Sequence, residues 1–434
     1  MTGSSYSTRG RLPEGIALAG LVAVLLAVGV VSVERPLVVP ATIVLMASCA
    51  IIARGGIRGA TLLLIGVLPW LVVFNDLLPS LTRTLASSAA ALAVLVLSRS
   101  EYGHTRIKFP LLLGVVFFVF PIVFAVLRNP GSDQLTLAAK LLIFPLMALI
   151  IAAGGLTAHS QRLLALVIIA SGTGALATEI AIGKAGIGQI GTTYSSGEIL
   201  GYAVPHDVAL VGVVVAAGAL TLSLATKWRV LVFSVAATAV VFTGVRAGVL
   251  AILVMVVASL FQSGARLRTI LVLGIAIAVG FAFGADKVIQ NRLQRSFQIG
   301  EFASVSNYGS GRGNIYRVAL DGYASSSGPV DWAMGTGLRS IPRFEVAATG
   351  NAFQGHSDLI EAAVELGPLG LLGFVMIWFN LFRTAISRLP LIGLLVFSVV
   401  NGSLEYTAGV VLALVLGGAA SRAVPLLARR ASAQ

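Results

Sequence analysis

The sequence is poor in the residues on which most protein chemistry depends. Its 434 residues include one cysteine, four histidines and 17 acidic side chains, and only 11% are charged. A soluble domain carries about 25% charged residues, so a water-soluble globular protein is excluded. The single Cys49 lies in an apolar run, which excludes an intrachain disulfide and a cysteine-built metal centre. No DxD, HExxH, Walker or GxSxG pattern occurs, and no cluster has metal-ligand spacing. A metal-dependent transferase is therefore disfavoured, and neither metal nor cofactor is expected. No separate basic soluble domain exists, so nucleic acid is not an expected partner.

Apolar residues are abundant, at 57% of the chain, and the net charge is +13. Apolar runs lie near 16–33, 37–53, 60–74, 84–98, 111–127, 135–153, 163–182, 207–225, 229–245, 247–262, 269–286, 369–382, 389–401 and 405–421. They are too long and unalternating for a β-barrel. The fold class is an all-α polytopic membrane protein with about 12–14 transmembrane helices. The run Ile16–Val33, preceded by Arg9 and Arg11, reads as an uncleaved first span.

Lys and Arg set the expected orientation. With the N-terminus in the cytoplasm, Arg54, Arg58, Arg99, Arg106, Lys108, Arg162, Lys227, Arg229, Arg266, Arg268, Arg383, Arg388 and the basic tail all fall inside. Connections 183–206 and 287–368 then face out. Three regions are expected: a helical frame over 1–286, an external catalytic loop over 287–368, and C-terminal spans with a cytoplasmic tail over 369–434. Within the loop, Asn314 is expected to cap one helix, with Ile315, Val318, Ala319, Gly322 and Tyr323 on one face. Asp358 and Glu361 resemble a capping box for a second, over 359–366. GPVDWAMGTGLRSIP between them reads as irregular.

Basic groups converge on the outer face. Arg246 breaks an apolar run, Arg292 and Arg295 sit in NRLQRS, and Arg312 and Arg317 lie one helical turn apart. A guanidinium fork suits a phosphate or diphosphate. Each has a plainer reading. Arg292 and Arg295 can contact lipid headgroups. Arg317 can pair with Asp321. Arg246 can be a snorkelling span-end residue, although one charge between apolar helices favours function. Arg312, between two glycines before a helix start, is a good anion site. His356 precedes a helix N-terminus, where the dipole favours a neutral imidazole able to accept a proton. His206 is a second candidate, or only a helix-entry residue beside Asp207. Glu365 can help orient His356. Lys140 is either a buried functional cation or a snorkelling residue.

The order TGVRAGVLAIL, NRLQRS, SGRGNIYRVAL, MGTGL and GHSDLIEAAVELGPLGLLGF, from about Thr243 to Phe374, resembles the O-antigen ligase/polymerase family of bacterial envelope glycosyltransferases. Departures are Val245 before Arg246, where the family has Ser or Thr, and Tyr316 where many members have Trp. The resemblance implies a GT-C-like, metal-independent, inverting transferase in the bacterial inner membrane. It implies an undecaprenyl-diphosphate-linked glycan donor and a glycan or glycolipid acceptor. By position, Arg246 and Arg312 would bind the donor diphosphate with help from Arg292, and His356 would activate the acceptor hydroxyl. Arg317, Arg295, Glu365 and His206 are supporting candidates. A ligase is the first reading and a polymerase of lipid-linked repeat units the second. A transporter of lipid-linked sugars is a third, disfavoured because charges gather outside rather than at the midplane.

Overall fold

A computed structural model describes residues 38–74, 80–102, 107–152, 156–184, 204–261, 312–326, 328–350, 357–385 and 387–419. All its regular elements are helices. In chain order they are α1 (Val38–Val73), α2 (Ser80–Tyr102), α3 (Phe109–Arg128), α4 (Ser132–Ala152), α5 (Ala158–Lys184), α6 (Pro205–Thr221), α7 (Thr226–Phe242) and α8 (Arg246–Leu260). After the undescribed stretch come α9 (Arg312–Ala324), α10 (Pro329–Met334), α11 (Ser340–Thr349), α12 (Asp358–Glu365), α13 (Gly367–Thr384), α14 (Leu389–Asn401) and α15 (Thr407–Ala419). The chain forms two compact units, Met1–Leu63 and Leu64–Gln434. The second holds the candidate site.

The apolar runs become helices close to their expected places. Runs 37–53 and 60–74 are two legs of α1, separated by a kink at Gly56, whose φ of 53° an L side chain rarely adopts. Runs 16–33 and 269–286 lie outside the described residues. Five described helices are long and apolar enough to cross a membrane: Gly55–Val73, α3, α4, Ala158–Gly183 and α13. The apolar helices α6, α8, α14 and α15 are shorter. Thirteen to seventeen residues span roughly 20–26 Å, less than the hydrocarbon core. The protein is a multi-pass helical membrane protein, and two of its short helices, α6 and α15, are enclosed by the others. Most residues of α6 and α15 are buried on all sides, as all-round apolar helices must be.

The helices most exposed to lipid are recognisable by stripes. On α3, Leu112, Val116, Phe120, Val123 and Leu127 are exposed at helical spacing. On α13, Leu372, Val375 and Phe379 repeat the pattern. The opposite faces of these two helices meet at glycines. A Cβ on Gly373 would lie 2.4 Å from the Phe118 backbone nitrogen, and one on Gly114 would lie 2.8 Å from Met376 Cβ. Small residues at both positions allow backbone-level approach.

Helix directions follow from such contacts. Gly393 of α14 faces both Val213 of α6 and Met255 of α8, and Gly248 of α8 faces Ala209 of α6. The helices α6 and α8 therefore run the same way, and their starts lie at one end. His206 near the α6 start touches Asn401 at the α14 end, so α14 runs antiparallel to them. That end, called the loop end, also receives α9–α12. At the opposite end Glu101 of α2 accepts from Thr157 N at 2.6 Å and from Ser160 Oγ at 2.5 Å.

The loop helices have their own small core of Ile315, Ala319, Ile341 and Val364, with Tyr323, Phe344 and Ile360 against it. The face expected from Ile315 through Tyr323 is thus the packed one. Three expectations are corrected. Asn314 lies inside α9, which starts at Arg312, and its Oδ1 accepts from Arg317 instead of capping. Ser357, not Asp358, is the N-cap of α12, and no side chain caps it. The Asp358 carboxylate is drawn away from its own helix by four donors described below. The stretch read as irregular contains α10 and the start of α11. Both are too short for a periodic signal to stand out.

Candidate functional site at the loop end

Arg312 opens α9, and its guanidinium turns toward the end of α14. Nη1 donates to Val400 O at 2.6 Å, and Nη2 donates to Asn401 Oδ1 at 2.8 Å. Asn401 is buried and meets His206 Nδ1 through Nδ2 at 3.1 Å. These contacts fix two chemical assignments. A guanidinium only donates, so it must face the amide oxygen, and the Asn401 amino group must face His206. His206 Nδ1 therefore accepts, and the neutral ring carries its proton on Nε2. The ring also stacks on Tyr406, with centroids 5.9 Å apart. In this arrangement His206 is a hydrogen-bond donor through Nε2, not a base.

Arg246 lies at the same end. It is the first residue of α8, after a turn through Gly244 at φ 63°. Thr243 Oγ1 donates to Val240 O at 2.6 Å and accepts from Val245 N at 3.1 Å, which locks the turn. The Arg246 side chain is exposed. An arginine at a helix start places its charge beside the positive dipole end, a combination that suits an anion. Buried Glu179 of α5 precedes Ile180, which packs on Phe242 just before this turn.

Other groups tie the loop to the bundle. Asp358 is buried and accepts from Ser398 Oγ at 2.6 Å, Ser403 N at 2.7 Å, Ser403 Oγ at 2.9 Å and Leu404 N at 3.2 Å. Burial pushes its carboxyl up to about 6 against the pull of those donors. Burial also pushes Glu365 up to about 7, although its carboxylate accepts from Ile341 N at 3.4 Å. Glu361 is also held well above its ordinary value, first through desolvation and then through the charges of Asp358, Glu365 and Glu405. Glu405 sits 3.3 Å from Arg339 and 3.9 Å from Lys140. Lys140 is thus a partly buried cation facing Glu405. Arg83 and Asp207 form an ion pair, at 2.5 Å.

The sequence-derived candidates separate accordingly. Arg312, His206 and Arg246 come to one end of the bundle. Arg317 is exposed, and its Nη2 donates to Asn314 Oδ1 at 2.7 Å rather than pairing with Asp321. Glu365 faces Ile341 across the loop core, where it is a structural acceptor. His356, Arg292 and Arg295 lie outside the described residues. Ser357, the residue after His356, is buried and hydrogen-bonds Tyr316, which also feels the Arg312 charge. The Gly-x-Gly of MGTGL is structural. Thr336 N and Gly337 N donate to Val364 O and Glu365 O at 3.0 and 3.1 Å. A Cβ at Gly335 would lie 2.3 Å from Glu365 backbone atoms. The motif clamps α12 to the start of α13. Asn401, Glu405 and Asp207 were not singled out as site residues from sequence, because only the fold brings them beside the arginines.

Fold and site together define a polytopic helical membrane protein with an arginine-rich end. Residues 230–375 match the family model described as O-antigen ligase. The matched segment runs from α7 into α13 and contains Arg246, Arg312 and His356. No curated protein matches the chain.

Proposed function

We propose that the protein is an inverting glycosyltransferase that moves a glycan from an undecaprenyl-diphosphate-linked donor to an acceptor hydroxyl at the outer face of the inner membrane. The match of residues 230–375 to the O-antigen ligase family model supports a ligase or polymerase. The observation that carries the reading is the convergence of Arg312, Asn401, His206 and the Arg246 corner at the end where the loop helices dock. The positive-inside count supports placing that end outside.

The acceptor oxygen attacks the anomeric carbon as the carbon–oxygen bond to the diphosphate breaks. The electron pair leaves on the diphosphate, whose charge Arg246 and Arg312 stabilise, with Arg292 as a further candidate. The acceptor proton passes to a base and then to solvent. His356 is the proposed base. His206 is excluded from that role while Asn401 donates to its Nδ1. The test is to incubate purified protein with a lipid-diphosphate glycan and candidate acceptors, with and without chelator. Transfer to a glycolipid acceptor marks a ligase. Chain extension on the lipid carrier marks a polymerase. Failure of every donor–acceptor pair under conditions where the protein is folded overturns the reading.

A further inference from the structure

A second polar hollow also lies at the loop end, between the last turn of α3 and the chain from Met334 to Arg343. Its volume is about 160 Å³, room for a small polar group and less than a whole small-molecule site needs. Arg128, Asn129, Gln134, Thr336 and Arg343 line it, together with Phe124. No lining residue is acidic. Arg128 is paired with Asp331 of α10 outside the lining. Arg343 spends one donor on Thr336 O at 3.3 Å and is otherwise exposed. The Gln134 side-chain oxygen is buried and accepts no hydrogen bond among the described residues. The hollow therefore offers positive charge and an unmet acceptor that wants a hydroxyl or N–H.

Its height in the membrane is fixed by α3. The exposed apolar stripe Leu112, Val116, Phe120, Val123, Leu127 runs up that helix and stops one residue before Arg128. The ion pair to Asp331 holds α10 at the same level, and its neighbours Val330 and Trp332 are 51% and 62% exposed. A tryptophan beside an apolar edge at a span end belongs at the headgroup boundary. A lipid lying along the α3 stripe would bring its headgroup to the hollow.

We infer that this hollow binds an anionic, hydroxyl-bearing lipid headgroup, such as a phosphoglycerol or a phosphosugar. Arg343 meets the phosphate, Gln134 accepts from a headgroup hydroxyl, and the acyl chain follows the α3 stripe. The shared phosphate chemistry could also come from free phosphate, and the test separates the two. Purified full-length protein in a neutral detergent is titrated with phosphatidylglycerol, phosphatidylcholine or inorganic phosphate while its unfolding temperature is followed. Phosphatidylglycerol is expected to raise it by several degrees, the other two little. Arg343→Ala combined with Gln134→Leu should abolish the rise, and Arg246→Ala should retain it. Because no turnover is read, failure here is distinct from failure of the transferase reading. An equal rise with phosphatidylcholine, a full rise with phosphate alone, or an undiminished rise in the double variant would overturn the inference. Should the double variant fold poorly, Arg343→Lys replaces it; retention of charge without the fork should weaken the rise by about tenfold in lipid concentration, and an unchanged titration counts against the site.

Discussion

The two ends of the bundle use polar groups differently. At the opposite end they chiefly satisfy backbone groups at helix ends. Glu101 caps the start of α5, Arg229 donates to Leu222 O seven residues back, and Ser387 N donates to Gly417 O. At the loop end the contacts join residues far apart in sequence: Arg312 with Asn401, Asn401 with His206, Arg83 with Asp207, Arg128 with Asp331, and Glu405 with both Arg339 and Lys140. The first pattern satisfies backbone groups that a helix end leaves open. The second fixes charged groups on rigid elements before any ligand arrives, which electrostatic catalysis needs.

The largest expected effect lies in that contrast. Arg312→Ala should cut turnover with a lipid-diphosphate glycan by about 10²–10³-fold, the cost of one transition-state donor. Arg312→Lys should recover little, because an ammonium cannot span Val400 O and Asn401 Oδ1 together and still present a fork to the diphosphate. Arg229→Ala at the opposite end should leave turnover unchanged. Similar losses from Arg312→Ala and Arg229→Ala would show that both ends only hold the bundle together.

Next in size is a change of tautomer. Asn401→Asp replaces the amino group that faces His206 with an acceptor. His206 Nδ1 must then carry a proton, and the new carboxylate favours the imidazolium. Nitrogen-15 spectra of labelled protein would read this directly. An imidazole that keeps its proton on Nε2 alone at neutral pH would contradict the arrangement of Asn401 between Arg312 and His206.

Packing provides a third measurement. Gly373→Ala places a methyl against the α3 backbone, which cannot rotate away as a side chain could. A loss of about 1–3 kcal/mol in stability is expected, seen as a lower unfolding temperature. The folded fraction should keep its turnover per molecule. A variant as stable as the parent would mean that α3 and α13 separate easily.

Legibility in the sequence follows the same division. The helices and their places came from apolar runs, because burial in a membrane needs continuous hydrophobicity and nothing subtler. Arg246 and Arg312 stood out because a charge amid apolar or glycine-rich sequence is rare. The links through Asn401, Glu405 and Asp207 did not stand out. Each is an ordinary polar residue near a helix end, and its partner lies 65 or more residues away in the chain. Asp358 was misread as a cap for the same reason. Local spacing predicted a local hydrogen bond, whereas Ser398, Ser403 and Leu404 supply better donors from another helix and its turn.

The smallest expected effect concerns the carboxyls between α12 and the bundle. Asp358 and Glu365 are pushed up to about 6 and about 7, and Glu361 lies well above its ordinary value. The facing groups are Glu405, Lys140 and Arg339. A carboxyl whose pKa is raised by folding binds more protons in the folded protein than in the unfolded chain. Its contribution to stability is fully present below the unfolded value near 4 and is lost as pH rises through the folded value. The wild-type unfolding temperature should therefore fall between about pH 5 and pH 8, with each such proton contributing at most about 1.4 kcal/mol per pH unit. Glu361→Gln is neutral throughout and removes a charge that raises its neighbours. Its unfolding temperature should match the wild type near pH 5 and exceed it near pH 8, with a shallower slope between. Parallel curves would show that Glu361 does not carry this proton linkage, and Glu365→Gln would then be the variant expected to flatten the profile.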